Sequence, residues 1–217
     1  MRVRNIPGIE DEIARIAGEQ LIAAPEEWKG RWQEVFRRKA PLHVEIGCGK
    51  GKFIAEMARN NPQWDFVAIE KVEEVVYKAV QKGLGLSNLR FLLTDGRKLT
   101  EYFGKGEVSA IYLNFSDPWP KERHHKRRLT SQWFLPQYIE VLAEGGKVCL
   151  KTDNPILFQY SLNTMEEGFI LRNVSSDYRQ GPEILDVATE YEEKFRKKGN
   201  PIYRLEAYPR KEEELKG

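Results

Sequence analysis

Five short apolar runs are interleaved with stretches of helical spacing, and that alternation leaves few folds open. PLHVEIG, ending at Gly47, reads as a buried strand entering a glycine loop, and FIAEMARNN follows as a helix stopped by Pro62. WDFVAIE (64–70) is a second strand, residues 72–82 a helix, LRFLL (89–93) a third strand and VSAIYLNF (108–115) a fourth. Residues 131–143 form a helix, GKVCLKT (146–152) a fifth strand and residues 155–167 another helix. Such a pattern predicts an α/β fold: a mostly parallel sheet with helices on both faces. FILRNV and PIYRLEAY, around a helix at 189–197, add two strands and predict an antiparallel finish to a seven-stranded sheet.

The first forty residues follow a different pattern. Ile9, Ile13 and Ile16 share one face of a helix over 9–19, and 31–37 reads as a short helix. We expect residues 1–40 to be a helical or flexible extension ahead of one domain over 41–217. A chain of 217 residues is long enough for one sizeable core but short for two. There is no apolar run long enough to span a membrane and no apolar segment of the kind that precedes a secretory cleavage site. Cys48 and Cys149 lie far apart and form no C-x-x-C pair, and His43 is the only histidine outside residues 124–125. No metal site is therefore expected, and a reducing, cytoplasmic setting fits.

In an open α/β sheet, ligands sit beyond the carboxyl ends of the strands. The first such end is VEIGCGKGKF, with Gly47, Gly49 and Gly51. Glycines there allow a tight turn and close backbone approach at a helix N-terminus. A dinucleotide fingerprint asks for glycine at position 52, which is Lys; a P-loop asks for Ser or Thr after that lysine, where Phe53 stands. The pattern E-x-G-x-G-x-G, with Glu45 two residues ahead of Gly47, is that of S-adenosylmethionine-dependent methyltransferases. Acids suit that molecule, which carries an ammonium and a ribose diol and no phosphate. Glu70 ends the second strand, where an acid can accept both ribose hydroxyls. Asp95, ending the third, can accept from an adenine amino group, although an isolated Asp-Gly is often only a turn.

The fourth strand ends in NFSDPWP. Two prolines restrict the loop that carries Asp117 and Trp119, and the indole offers a stacking face for a base. KERHHKRR follows at once. The chain carries 35 Lys and Arg against 33 Asp and Glu, net +2, and residues 121–128 hold five cations and one anion, so the rest sums to −2. A charge run is usually a solvated face. This one begins at the mouth of the site in an otherwise acidic chain. Lys121, Arg123, His124, His125, Lys126, Arg127 and Arg128 are therefore expected to track a phosphate backbone.

DPWPKERHHKRR, together with VEIGCGKGKF, KTDN and TEYEEKF, resembles the bacterial tRNA (guanine-N7-)-methyltransferase family over residues 40 to 208. The resemblance implies a Rossmann-like class I methyltransferase fold, S-adenosylmethionine as methyl donor, and N7 of the tRNA variable-loop guanine as acceptor. It implies cofactor contacts at Glu45, Glu70, Asp95 and Asp117, with Asp117 also catalytic. It implies substrate contacts at Lys121, Asp153, Thr189, Glu190, Tyr191 and Glu192, in a monomer or homodimer. From the residues alone, Asp153 reads equally as the N-cap of the helix that Pro155 opens, and Thr189 with Glu192 as a capping box. Two rival functions remain at this level. An enzyme methylating an exocyclic base amine predicts D-P-P-aromatic, which the chain lacks. A non-catalytic tRNA-binding protein of the same fold would have no use for the intact Glu45, glycine loop and Glu70.

Overall fold

The computed structural model describes residues 8–178 and 187–211. Seven strands form one sheet: β1 (Leu42–Ile46), β2 (Asp65–Glu70), β3 (Leu89–Leu93), β4 (Val108–Asn114), β5 (Leu142–Thr152), β6 (Phe169–Ser175) and β7 (Tyr203–Pro209). The spatial order is β3-β2-β1-β4-β5-β7-β6. All neighbours pair in parallel except β7, which is antiparallel to both β5 and β6. The helices are α1 (Ile9–Ala17), α2 (Trp32–Phe36), α3 (Lys52–Asn60), α4 (Glu73–Gly83), α5 (Leu99–Tyr102), α6 (Leu135–Val141), α7 (Pro155–Met165) and α8 (Glu190–Arg196).

Period-two alternation along β1 explains the two cores. Leu42, Val44 and Ile46 face one layer, with Phe134, Tyr138 and Phe158. The other layer is built on α1, α3 and α4, where Ile13, Phe53, Ile54, Met57 and Val76 meet Phe66 and Ala68 of β2. His43 and Glu45 take β1's remaining positions and are both buried. Burial pushes the His43 imidazole down to about 4, so it sits neutral among aromatic neighbours.

The described part of the first forty residues is packed on the rest of the chain. Ile9, Ile13 and Ala17 of α1 are buried, each isoleucine worth about 1.5–3 kcal/mol. Gln20 donates to the carbonyls of Gly83 and Leu86, and Leu21 bridges to Phe91, covering the β3 edge. Trp32 is buried, and its indole donates to the Tyr102 carbonyl at 2.9 Å.

Two boundaries differ by more than two residues from the sequence reading. The helix expected over 131–143 is α6, which begins only at Leu135, because Ser131–Phe134 turns tightly (Phe134 N–H to Ser131 carbonyl, 2.9 Å) and Pro136 belongs in a first turn. Strand β5 starts four residues early, at Leu142, with a register shift where it pairs to β4. The basic run is a 3₁₀ turn, Glu122–Arg127.

Candidate active site

The sheet order reverses between β1 and β4, and the strand ends there open a crevice. Two cavities lie along it, of about 490 Å³ and about 440 Å³, sharing Gly47 and Phe115. The larger brings together Glu70, Asp95, Asp117, Trp119 and Arg127 against an apolar wall that includes Ile46, Ile69 and Phe134. The smaller is lined by Glu45, the glycine loop, Asn114 and Thr189–Tyr191.

Gly47 and Gly49 have φ of +75° and +56°, and a side chain at either would point into open space. Gly51 has φ of +74°, and a Cβ there would come within 2.7 Å of Ala79, so it lets α3 pack on α4. The loop is tied to β2 by the Gly47 and Cys48 amides, which donate to the Ile69 carbonyl at 2.8 and 3.1 Å. Glu70 fastens it again: Oε2 accepts from the Gly49 amide at 3.3 Å, Oε1 from the Lys71 and Val72 amides at 2.9 and 3.1 Å. Oε1 thus accepts two bonds, while Oε2, with one, retains accepting capacity.

Glu45 is the most buried carboxyl in the crevice. It is 1% exposed; Oε1 accepts from Asn114 at 2.9 Å across the β1–β4 boundary, and Oε2 has no hydrogen-bond partner among the described residues. Burial pushes its carboxyl up to about 8, with the nearby Glu70 charge adding and the Asn114 bond opposing. An unpaired buried carboxylate is a site for a cation. The ammonium of S-adenosylmethionine is such a cation, and the Glu70 carboxylate and the apolar wall suit its ribose and adenine. The residues present fit that molecule.

Asp95 is partly engaged: it accepts from the Arg97 amide at 3.1 Å, capping a short 3₁₀ turn, and pairs with the Arg97 guanidinium at 2.9 Å. Gly96 after it is obligatory, since a Cβ would meet Ile46 at 2.5 Å. Asp117 is exposed and makes no hydrogen bond or ion pair among the described residues. It lies between Phe115 (φ +51°) and Trp119 (φ +42°), two bulky residues in left-handed backbone. The Trp119 indole has the Arg127 guanidinium over its face at 4.8 Å and the His124 ring at its edge.

The cationic turn splits in two. Lys121, Arg123, Lys126 and Arg127 are exposed. His124 and His125 are half-buried against Trp119 and Tyr160. Arg128, expected among the phosphate contacts, is 3% exposed and turned inward, donating to the Pro118 and Trp119 carbonyls.

Two further expectations change. The α7 N-cap is Asn154, whose side chain accepts from the Leu157 amide at 2.8 Å, so Asp153 has no capping role. Asp153 lies instead near Tyr191, whose phenol is raised by burial and, secondarily, by that carboxylate. Thr189 and Glu192 do form the capping box of α8. Glu192, however, is fully buried and paired with Lys151 at 3.3 Å and with Arg196, so its carboxylate is engaged within the fold. Glu190 pairs with Lys50 and Lys82, and Glu193 with Lys52, fastening α8 over the glycine loop.

Both cysteines are free. Among the described residues no helix is long and apolar enough to cross a membrane, and no cluster of three metal-ligating side chains occurs.

This strand order with its antiparallel β7, and the acid–glycine crevice at the switch point, define a class I S-adenosylmethionine-dependent methyltransferase. Solved structures agree on the fold: an antibiotic-related methyltransferase superposes with a TM-score of 0.62 at 15% identity, covering 88% of this chain and 96% of that one. The 16S rRNA methyltransferase KamB gives 0.60 at 18% identity, covering 82% and 93%. A family model described as a putative methyltransferase matches residues 39–205. The tRNA (guanine-N(7)-)-methyltransferase of Geobacillus kaustophilus is 50% identical over 210 residues, covering 95% of this chain and 96% of that protein. The protein of the same name from Halalkalibacterium halodurans is 47% identical over 217 residues, covering 99% and 98%. The chain belongs to the tRNA (guanine-N(7)-)-methyltransferase family, whose members are S-adenosylmethionine-dependent enzymes.

Proposed function

We propose that this chain methylates N7 of the variable-loop guanine of tRNA, with Asp117 at the point of transfer. The observation that carries the reading is the convergence of Glu70, Asp95, Asp117 and Trp119 on one cavity, beside the exposed cations of the 121–127 turn. S-adenosylmethionine supplies an electrophilic methyl on a sulfonium. Glu45 takes its ammonium, Gly47, Gly49 and Gly51 shape the backbone around it, Glu70 takes the ribose hydroxyls, and Asp95 faces the adenine. The site draws every one of these residues from a single chain, so the reading holds for a monomer or a homodimer.

Guanine N7 offers an in-plane lone pair and carries no proton at neutral pH, so the chain needs no general base. Its work is alignment and the handling of charge. Methylation moves positive charge onto the purine, which a carboxylate at Asp117 stabilises. Carboxylates also accept from N1–H and N2–H of guanine, a pattern adenine lacks; Asp153, beside Tyr191, is our candidate for that contact, and Thr189–Tyr191 border the second cavity. Lys121, Arg123, Lys126 and Arg127 hold phosphates and set the register of the strand. A guanine engaged in tRNA tertiary structure must be displaced to present N7 at such a site.

Incubation with methyl-labelled S-adenosylmethionine and bulk tRNA, followed by nucleoside analysis and mapping, should give N7-methylguanosine in the variable loop. Label in an exocyclic amine, or none in RNA, would overturn the reading.

Arg127→Gln should weaken tRNA binding and flatten its salt dependence by roughly 0.7 in the log–log slope for a lost single-strand phosphate contact. Affinity for S-adenosylmethionine should stay the same. A slope equal to the parent's would make the run a solvated face.

A further inference from the structure

Arg127 and Arg128 are adjacent in sequence and opposite in disposition. Arg127 is exposed, with its guanidinium over the Trp119 indole. Arg128 is buried; Nε donates to the Pro118 carbonyl at 2.9 Å and Nη2 to the Trp119 carbonyl at 3.2 Å, while the guanidinium lies 4.3 Å from the centre of the Tyr160 ring on α7. Its own backbone is pinned on both sides: the Arg128 amide donates to the His125 carbonyl at 3.0 Å, and its carbonyl accepts from Ser131 at 3.0 Å.

The carbonyls it holds belong to a turn under strain. Phe115 and Trp119 bracket Asp117, and both have positive φ, which bulky L-residues adopt only when the surroundings force them. Pro118 and Pro120 have no amide N–H, so the turn has few donors with which to close on itself. The planar fork of an arginine can bind two successive carbonyls at once from a fixed direction; an ammonium cannot reproduce that geometry. Burying a guanidinium is costly unless its donors are used, and these donors are spent on the loop that carries Asp117.

We propose that Arg128 is a positioning residue for methyl transfer. It anchors the strained 115–119 turn to α7 and so fixes Asp117 and Trp119 over the larger cavity, and it touches neither phosphate nor methyl donor. The proposal rests on the N7 reading for what the loop does, but not for how the loop is held.

The test uses Arg128→Lys, with the Arg127→Gln variant as contrast. In Arg128→Lys, single-turnover methyl transfer at saturating tRNA and S-adenosylmethionine should fall by about 30-fold or more. Affinities for both should stay within about threefold, the salt slope of tRNA binding should match the parent, and the melting temperature should show a folded protein. Amide exchange in the peptide covering 114–121 should speed up by about tenfold in the absence of any RNA. An unchanged single-turnover rate, or a flattened salt slope like that of Arg127→Gln, would overturn the proposal. If Arg128→Lys fails to fold, Tyr160→Leu, which removes the ring beneath the guanidinium, should give the same faster exchange at 114–121 and a smaller rate loss; unchanged exchange there would overturn it as well. A parent that methylates no tRNA would sink the N7 reading, and the exchange measurement would then decide the anchoring alone.

Discussion

Glu45→Gln should make the protein free of ligand more stable at pH 8 and, in the same molecule, bind S-adenosylmethionine more weakly. The parent carboxyl is raised to about 8 by burial, against an ordinary value near 4.5. Between those two values the folded chain holds a proton that the unfolded chain has released. Stability contributed by this group is therefore present below about pH 4.5 and is lost as pH rises toward 8. The loss at pH 8 is on the order of 4 kcal/mol at most, and glutamine, which never ionises, avoids it. The variant's melting temperature should match the parent's near pH 4.5 and exceed it by several degrees at pH 8.

Binding should move the other way. Losing the charge opposite an ammonium costs about 1.5–3 kcal/mol, roughly 10- to 150-fold in affinity. In the parent the ammonium meets a carboxyl that must first give up its proton, so affinity should rise by nearly tenfold per pH unit between about pH 5.5 and 7.5. The variant should show no such rise. Calorimetry in buffers of different ionisation enthalpy counts the released proton. A parent affinity that is flat over that window would mean that Glu45 does not face the ammonium.

The contrast between Glu45 and Arg128 shows what the sequence can and cannot convey. The spacing of Glu45 from three glycines was readable, because a strand end, a tight turn and a helix start must follow one another in that order. Its burial, with Oε2 lacking a partner among the described residues, was not readable, since Oε1 meets Asn114, which arrives 69 residues later on the neighbouring strand. Strand β3 was legible to the residue, being an apolar run closed by turn residues. The start of β5 was not, because Leu142 reaches the sheet only through a register shift against Val108. In the basic run, a charge count gives composition and no direction. The 3₁₀ turn ends at Arg127 and Arg128 leaves it in extended backbone, and the two side chains part company there. The capping box at Thr189 and Glu192 was visible in four letters. The burial of Glu192 against Lys151 was not, since that partner lies 41 residues away.

Asp117→Asn should lower the single-turnover rate of methyl transfer by ~10²-fold or more, the range expected for lost electrostatic stabilisation at a developing charge. The substitution keeps the shape of the side chain and removes its charge. Asp117 makes no hydrogen bond or ion pair among the described residues, so little of the fold should depend on it, and the melting temperature should hardly change. tRNA affinity should stay within about threefold, because the exposed cations Lys121, Arg123, Lys126 and Arg127 carry the phosphate contacts. The decisive readout is the pH profile of the parent at saturating tRNA and methyl donor. An N7 acceptor has no proton to lose, so the rate should be nearly flat between about pH 6.5 and 8.5. An exocyclic amine must shed a proton during or after attack, which a base would assist. A rate that climbs tenfold per pH unit across that window would indicate an obligatory deprotonation, and would move the acceptor from N7 to an amine with a catalytic group other than Asp117.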